Sequence, residues 1–164
     1  MQLPDAEALC ADLVRQLRAH VTPETGMVGI HTGGAWLAER LHQELALAVP
    51  LGTLDISFYR DDYRTSGLHK SVRASKIPFD VNGRHLLLVD DVLYTGRTVR
   101  AAMNELFDYG RPHSIRLVAL VDRGERQLPI CPQFVGTGLT VPKGSMLRLD
   151  RDPAGRLTLR LDAQ

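Results

Sequence analysis

The strongest constraint on the fold is a run of four apolar residues, Leu86 to Val89, followed by two aspartates, Asp90 and Asp91. A strand that is apolar at consecutive positions is buried on both faces, which is typical of a parallel sheet covered by helices. Open sheets of this kind bind ligands beyond the carboxyl ends of their strands. The run therefore predicts an α/β fold with an acidic pair at its ligand-binding edge.

Strand and helix patterns alternate along the rest of the chain. They predict strands at 27–30, 53–59, 85–90, 115–121 and 134–136, and helices at 5–20, 35–47 and 97–109. Alternating leucines on both sides of a turn at 152–155 predict a C-terminal antiparallel hairpin. We expect a parallel five-stranded sheet flanked by helices, with residues 1–164 forming a single domain.

Composition narrows the class of protein. The 164 residues include 20 basic and 19 acidic side chains and are 44% hydrophobic, as in an ordinary globular domain. No apolar run approaches the roughly 20 residues that cross a bilayer, and the stretch Met1 to Asp5 carries an acidic residue where a signal peptide would be basic, so we expect a cytoplasmic protein without a membrane partner. Cys10 and Cys131 lack neighbours at metal-ligand spacing, which favours neither a zinc site nor a disulfide framework.

The acidic pair is followed at once by a second polar motif. Thr95, Gly96 and Thr98 stand at the entrance of the helix predicted from Arg97, while 91–96 is predicted as a turn. Unpaired N–H groups at a helix N-terminus attract a phosphate, and a glycine lets it approach the backbone. Carboxylates for sugar hydroxyls beside a phosphate cradle indicate a ribose 5-phosphate site.

Two other interpretations of Asp90 and Asp91 remain open at this point. The pair could bind magnesium beside a phosphoacceptor, as in receiver domains, although such pairs normally come near the N-terminus. It could also simply cap the next helix, although two unpartnered carboxylates at a strand end would repel each other.

The stretch from Leu86 to Thr98 resembles the phosphoribosyl diphosphate signature of the type I phosphoribosyltransferases. A wider set of motifs resembles the PyrR subfamily: 59–62, 89–101, 110–112 and 121–124. Members of that subfamily are uracil phosphoribosyltransferases, and in some bacteria they also regulate the pyrimidine operon by binding its leader RNA. The resemblance implies the type I fold, with a small hood beside the sheet and the hairpin.

The resemblance also implies roles for individual residues. Asp90 and Asp91 would bind the ribose hydroxyls and lie at a Mg²⁺ site, and both are expected to act in catalysis together with Arg60. The 5-phosphate would be held by Tyr94, Thr95, Gly96, Arg97 and Thr98. Thr32, Gly33 and Gly34 would form the diphosphate loop, and Arg123 and the turn from Gly136 to Val141 would lie near the uracil. Arg123 could equally form a surface ion pair with Glu125.

The sequence departs from the subfamily in the diphosphate loop. An arginine usually follows the threonine there, and Gly33 stands in its place. We expect another cation to compensate: Arg60, Arg73 or one from a neighbouring subunit. The polar stretch 60–76, which includes Arg64, Lys70 and Lys76, would be a mobile loop that closes over the diphosphate and excludes water. The alternative interpretation of this stretch is a solvated hairpin tip.

The implied reaction converts uracil and 5-phosphoribosyl 1-diphosphate (PRPP) to UMP and diphosphate, with Mg²⁺ as cofactor. One alternative is a UMP-dependent RNA-binding regulator, although the near-zero net charge offers little attraction to RNA phosphates. Another is a phosphoribosyltransferase for a purine base. Exposed sheet edges and leucine-rich helices, together with the resemblance, lead us to expect a homodimer or homotetramer.

Overall fold

The computed structural model describes residues 1–57 and 74–164. These residues contain three helices, α1 (Ala6–Arg18), α2 (Gly33–Glu44) and α3 (Arg97–Asp108). They also contain seven strands: β1 (Gly26–Ile30), β2 (Gly52–Leu54), β3 (His85–Leu93), β4 (Ser114–Asp122), β5 (Phe134–Gly138), β6 (Ser145–Arg151) and β7 (Leu157–Ala163).

Five strands form one parallel sheet in the order β2-β1-β3-β4-β5, and β6 and β7 form an antiparallel hairpin. The predicted α/β fold with its terminal hairpin is therefore confirmed. β3 lies at the centre of the sheet, and its side chains alternate between two apolar cores. Leu87 and Val89 pack with α1, α2 and the hairpin, whereas Leu86 and Leu88 pack with α3.

Polar contacts join the hairpin to the helices. The Glu7 carboxylate accepts a hydrogen bond of 2.7 Å from the N–H of Leu157 and pairs with Arg40. Arg40 also donates to the carbonyl of Gly155 at 2.9 Å. Because the Arg40 guanidinium favours the charged carboxylate, it lowers the pKa of Glu7.

Three of the predicted elements have a boundary that is wrong by more than two residues. The predicted turn at 91–96 is partly strand, because β3 continues to Leu93 through pairing of Val92 with Val121 and of Leu93 with Asp122. The predicted helix at 35–47 begins at Gly33 and ends at Glu44. The strand predicted at 53–59 is the short β2, and residues 58–59 lie outside the described residues.

Local hydrogen bonds explain two of these differences. The N–H of Trp36 donates to the carbonyl of Thr32 at 3.2 Å, so the helical bonding of α2 starts before the glycines end. Asp55 Oδ1 accepts from the N–H of Ser57 at 3.0 Å, a side-chain turn that directly follows the end of β2 at Leu54.

The two cysteines have opposite surroundings. Cys10 lies on the buried face of α1, and burial raises the pKa of its thiol to about 12. Cys131 is exposed in the β4–β5 connection (residues 123–133). In the described parts of the chain, no helix combines the length and the apolar character that a membrane crossing requires.

Candidate active site

Two strand-to-helix junctions meet at one edge of the sheet. The β1–α2 junction (residues 31–34) follows β1, and the β3–α3 junction (residues 94–98) follows the neighbouring strand β3. Parallel strands end at the same edge, so both junctions flank the acidic pair in the last part of β3. The sequence-predicted residues Thr32, Gly33, Gly34, Asp90, Asp91 and 94–98 are thus brought to one end of the sheet.

Glycines bring the β1–α2 junction into contact with the acidic pair. A Cβ added to Gly33 would overlap Oδ2 of Asp91 and lie 2.6 Å from its Cγ. A Cβ added to Gly34 would lie 2.7 Å from the Val89 carbonyl oxygen and 3.0 Å from Asp90 Cα. The His31–Thr32 peptide bond at this junction is cis. The first turn of α2 therefore packs directly on β3, with Asp91 beside Gly33.

The acidic pair is partly held by its own backbone. Asp90 is only 2% exposed, and its Oδ1 accepts a hydrogen bond of 3.0 Å from the N–H of Asp91. Asp91 is half-buried. The two carboxylates therefore sit in different surroundings, one enclosed and one accessible from the sheet edge.

The β3–α3 junction has a backbone conformation that requires glycine. Gly96 adopts a φ of 93°, a left-handed conformation, immediately before α3. Thr95 is 7% exposed, and its hydroxyl accepts from the N–H of Arg97 at 3.2 Å. This bond satisfies the N–H of the first residue of α3 and fixes the Thr95 side chain.

Hydrogen bonds from the β4–β5 connection set the direction of the peptide groups in this junction. The Tyr94 carbonyl accepts from Nη1 of Arg126 at 2.7 Å. The Thr95 carbonyl accepts from the N–H groups of Gln127 at 2.9 Å and Leu128 at 3.2 Å. In a trans peptide the N–H points opposite to the carbonyl, so the N–H groups of Thr95 and Gly96 face away from the connection.

Neither of those two N–H groups donates a hydrogen bond within the part of the chain that the structure describes. They lie just before α3, whose own first N–H groups carry the positive end of the helix dipole. This arrangement can bind an anion such as a phosphate monoester.

Arg123 lies against the same junction. Its guanidinium is centred 3.9 Å from the centroid of the Tyr94 ring, and its side chain is 8% exposed. It makes a long ion pair of 3.4 Å with Glu125, so the surface ion pair expected as its alternative is present as well. Among the described residues, Nε of Arg123 has no hydrogen-bond partner. A buried donor of this kind can donate to a ligand oxygen.

The remaining predicted residues are less informative. The Val141 side chain packs in the core with α1 and the hairpin, and β5 extends to Gly138 through the turn predicted near the base. Lys76 pairs through its backbone with Thr53 at 2.8 Å. Arg60, Arg64, Lys70 and Arg73 lie outside the described residues, so the predicted closing loop and its catalytic Arg60 remain predictions.

Sequence reasoning missed Arg126 and Gln127. Arg126 bonds to Tyr94 and to Asp122, and Arg97 Nε donates to Gln127 Oε1 at 2.8 Å. The Arg126 guanidinium lowers the pKa of Asp122. The spacing of four residues between Asp122 and Arg126 could have indicated their ion pair. The contact between Arg126 and Tyr94 spans 32 residues, so no local sequence pattern indicates it.

Comparison with known proteins agrees with this geometry. Residues 2–138 match the phosphoribosyl transferase domain family. The chain is 53% identical over 154 residues to the bifunctional protein PyrR of Pseudomonas aeruginosa strain LESB58, covering 91% of this chain and 90% of that protein. It is 46% identical to the bifunctional protein PyrR of Pseudomonas fluorescens Pf-5, covering 100% of this chain and 98% of that protein.

Solved structures share the fold at low identity. A hypoxanthine-guanine phosphoribosyltransferase from Bacillus anthracis has a TM-score of 0.68 at 19% identity, with 85% of this chain and 84% of that chain covered. A hypoxanthine phosphoribosyltransferase from Staphylococcus aureus has a TM-score of 0.63 at 22% identity, with 85% and 74% covered. The family match and the close PyrR relatives confirm the resemblance drawn from the sequence, and the chain belongs to the phosphoribosyltransferase family.

Proposed function

We propose that this chain is a cytoplasmic uracil phosphoribosyltransferase that converts uracil and PRPP to UMP and diphosphate. The observation that carries the proposal is the contact between an acidic pair and two strand-to-helix junctions, one of which presents N–H groups that bond to none of the described residues. The similarity to PyrR proteins favours uracil over a purine base. The low-identity purine enzymes share the fold and carry no weight for the choice of base.

The geometry supports binding of different parts of PRPP by the two junctions. The 5-phosphate would accept hydrogen bonds from the N–H groups of Thr95 and Gly96 and would contact the start of α3, including Arg97 and Thr98. The ribose hydroxyls would bind the carboxylates of Asp90 and Asp91. Thr32, Gly33 and Gly34 would contact the diphosphate, with Asp91 between the two parts of the substrate.

The residues present fit the Mg²⁺ that this family implies. In the parts of the chain that the structure describes, no three His, Cys, Asp or Glu side chains form a cluster that could hold a metal ion alone. Mg²⁺ is commonly held by one or two carboxylates together with substrate oxygens and waters. Asp90 and Asp91 would supply the carboxylates, and the bound ion would neutralise charge on the departing diphosphate.

The catalytic work of the protein residues is electrostatic. Departure of diphosphate leaves positive charge at C1 of the ribose, and the carboxylates of Asp90 and Asp91 orient the ring and favour that charge. No covalent nucleophile is required. Arg60 would stabilise the leaving group.

Arg123 is our candidate for contact with the base. Its guanidinium stacks on Tyr94 beside the phosphate-binding junction, and its Nε, which has no partner among residues 1–57 and 74–164, can donate to a uracil carbonyl. Leaving this buried donor unpaired would be unfavourable, so a bound carbonyl stabilises both partners. Val141 would contact the uracil through its backbone.

A panel of bases tests the proposal. Purified protein with PRPP and Mg²⁺ is offered uracil, cytosine, hypoxanthine, guanine and xanthine, and nucleotide formation is measured. We expect UMP alone. Formation of a purine nucleotide without UMP would overturn the choice of base, and absence of any nucleotide would overturn the enzyme activity.

The double variant Asp90→Asn, Asp91→Asn tests the mechanism. We expect turnover to fall by at least about a hundredfold, the scale seen when one electrostatic contact to a transition state is lost. Asp150→Asn, in the hairpin, is the matched control, and far-ultraviolet circular dichroism checks the fold. Unchanged turnover in the double variant would remove the acidic pair from the mechanism.

A second proposed function is regulation by UMP-dependent binding of a pyrimidine leader RNA. The observation that favours it is the close similarity to proteins named bifunctional. The basic residues of α1 do not form a free stripe, since Arg15 pairs with Asp12 at 3.2 Å. A salt-dependent gel shift sharpened by UMP would support RNA binding, and no shift at low salt would reject it. We also propose a homodimer or homotetramer, to be measured by light scattering.

A further inference from the structure

Arg126 joins three separate segments of the chain. Its Nη1 donates to the Tyr94 carbonyl at 2.7 Å, its Nη2 to Asp122 Oδ2 at 2.7 Å, and its Nε to the Ile130 carbonyl at 2.8 Å. All three nitrogen atoms of the guanidinium are therefore engaged. The planar, forked shape of the group makes this set of bonds specific to arginine.

These bonds leave Arg126 little capacity to touch a substrate itself. Its side chain is 22% exposed, and its charge is paired with the Asp122 carboxylate at the end of β4. Asp122 is in turn fixed by a bond of 2.9 Å from the N–H of Gly124. Arg126 thus differs from Arg123, whose Nε has no partner among the described residues.

The bond to Tyr94 determines where a neighbouring N–H group points. The Tyr94 carbonyl and the Thr95 N–H belong to one peptide plane and point in opposite directions. By holding the carbonyl towards the β4–β5 connection, Arg126 turns the Thr95 N–H towards the opposite side, where the 5-phosphate is proposed to bind. The bonds from Gln127 and Leu128 hold the Thr95 carbonyl in the same direction and so turn the Gly96 N–H towards the proposed phosphate.

The bond to Ile130 supports the same junction from behind. A Cβ added to Gly96 would lie 3.0 Å from Cγ1 and 3.1 Å from Cβ of Ile130, so the Ile130 side chain lies directly behind the left-handed glycine. Because Arg126 holds the Ile130 backbone, it fixes both the Tyr94 carbonyl and this apolar support.

We propose that Arg126 is a positioning residue that orients the backbone N–H groups of the β3–α3 junction for the 5-phosphate of PRPP and UMP. The inference rests on the proposed function, because it assigns the phosphate monoester to this junction. It concerns one part of the substrate only. Loss of Arg126 should weaken binding of ligands that carry the 5-phosphate and spare ligands that lack it.

Binding of three ligands separates this role from general structural support. UMP carries the 5-phosphate, uridine lacks it, and inorganic diphosphate is proposed to bind at the β1–α2 junction. We expect Arg126→Ala to weaken UMP binding by about tenfold, the equivalent of one charge-assisted hydrogen bond, with uridine and diphosphate changed by less than about twofold. The KM for PRPP should rise by a similar factor, with a smaller change in kcat.

Arg126→Lys and Arg148→Ala are the companion variants. Lysine keeps the charge but cannot reach three acceptors in one plane, so UMP affinity should lie between those of wild type and Arg126→Ala. Arg148 is an exposed arginine paired with Asp162 in the hairpin, and its removal should leave all three ligands unaffected. If Arg126→Ala does not fold, the affinities for UMP, uridine and diphosphate are compared in Arg126→Lys and Asp122→Asn instead.

Two outcomes would overturn the inference. One is unchanged UMP affinity in the Arg126 variants. The other is an equal loss for UMP, uridine and diphosphate, which would indicate general structural damage. A wild-type protein that forms no UMP from uracil and PRPP would instead contradict the proposed function, while the binding comparison would still decide the role of Arg126.

Discussion

The two strand-to-helix junctions lie side by side at one sheet edge but are held in different ways. The β1–α2 junction is held by close packing, because Gly33 and Gly34 leave no room for a Cβ against Asp91 and β3. The β3–α3 junction is held by hydrogen bonds, since Arg126, Gln127 and Leu128 bind its carbonyls. Neighbouring parts of one site can therefore depend on steric fit in one case and on polar support in the other.

The largest effect should come from Gly34→Ala. The added Cβ would lie within 3.0 Å of two backbone atoms of β3, which cannot rotate away, so α2 must shift from the sheet. We expect the free energy of unfolding in urea to fall by about 3 kcal/mol, with loss of turnover. Gly138→Ala is the matched control for stability, because among the described residues only the Asp122 carbonyl comes within 4 Å of its Cβ, at 3.8 Å. Equal stability of the two variants would contradict the packing argument.

Gly96→Ala should have the next largest effect. Alanine at a φ of 93° is strained by about 1–2 kcal/mol, and its Cβ, 3.1 Å from Cβ of Ile130, requires that residue to shift slightly. Gly155→Ala imposes similar strain at a φ of 88° in the hairpin turn, far from the junction. Both variants should lose comparable stability in urea, but only Gly96→Ala should raise the KM for PRPP. A raised KM in both would show that strain alone is responsible.

Glu7→Gln tests stability away from both junctions. Arg40 lowers the pKa of Glu7 in the folded protein, so its charge stabilises the fold above the unfolded value of about 4.3 and stops doing so as pH falls through the lower folded value. We expect the variant to be less stable by about 1 kcal/mol at pH 7, with the difference shrinking below about pH 4. Urea unfolding across this range measures it. A constant difference would contradict the pairing, and KM values should not change.

The smallest change in stability should come from Gly33→Ala. The three atoms nearest the added Cβ belong to the Asp91 side chain, whose carboxylate can turn aside, and alanine favours the helix by up to about 1 kcal/mol. Unfolding free energy should change by less than about 1 kcal/mol, whereas turnover should fall because Asp91 leaves its position. Steady-state kinetics beside urea unfolding measures both. Unchanged turnover would show that the position of Asp91 beside Gly33 is not needed.

The sequence was sufficient for features that depend on local pattern. The apolar run from Leu86 to Val89 predicted a doubly covered strand, and the alternating leucines predicted the hairpin, because burial on two faces or on one face leaves different periodicities. Thr95 and Gly96 marked the entrance of a helix, and α3 begins at Arg97, directly after the left-handed Gly96. These are properties of a few adjacent residues.

Features that depend on distant contacts could not be predicted. Gly33 and Gly34 were interpreted as a turn, because their role follows from the position of β1 beside β3, which are separated by β2 along the chain. β3 reaches Leu93 through pairing with β4. The bond between Arg126 and Tyr94 spans 32 residues. Each of these three features depends on how segments that are distant in sequence pack against each other.

The contrast between the two cysteines gives the molecule a ready-made labelling position. The thiolate is the reactive form, so a buried Cys10 with a pKa of about 12 should resist alkylating dyes, whereas the exposed Cys131 should accept them. Cys131 directly follows Ile130, which lies behind Gly96. A fluorophore attached there would report on nucleotide capture in the unmodified sequence, with no engineered cysteine.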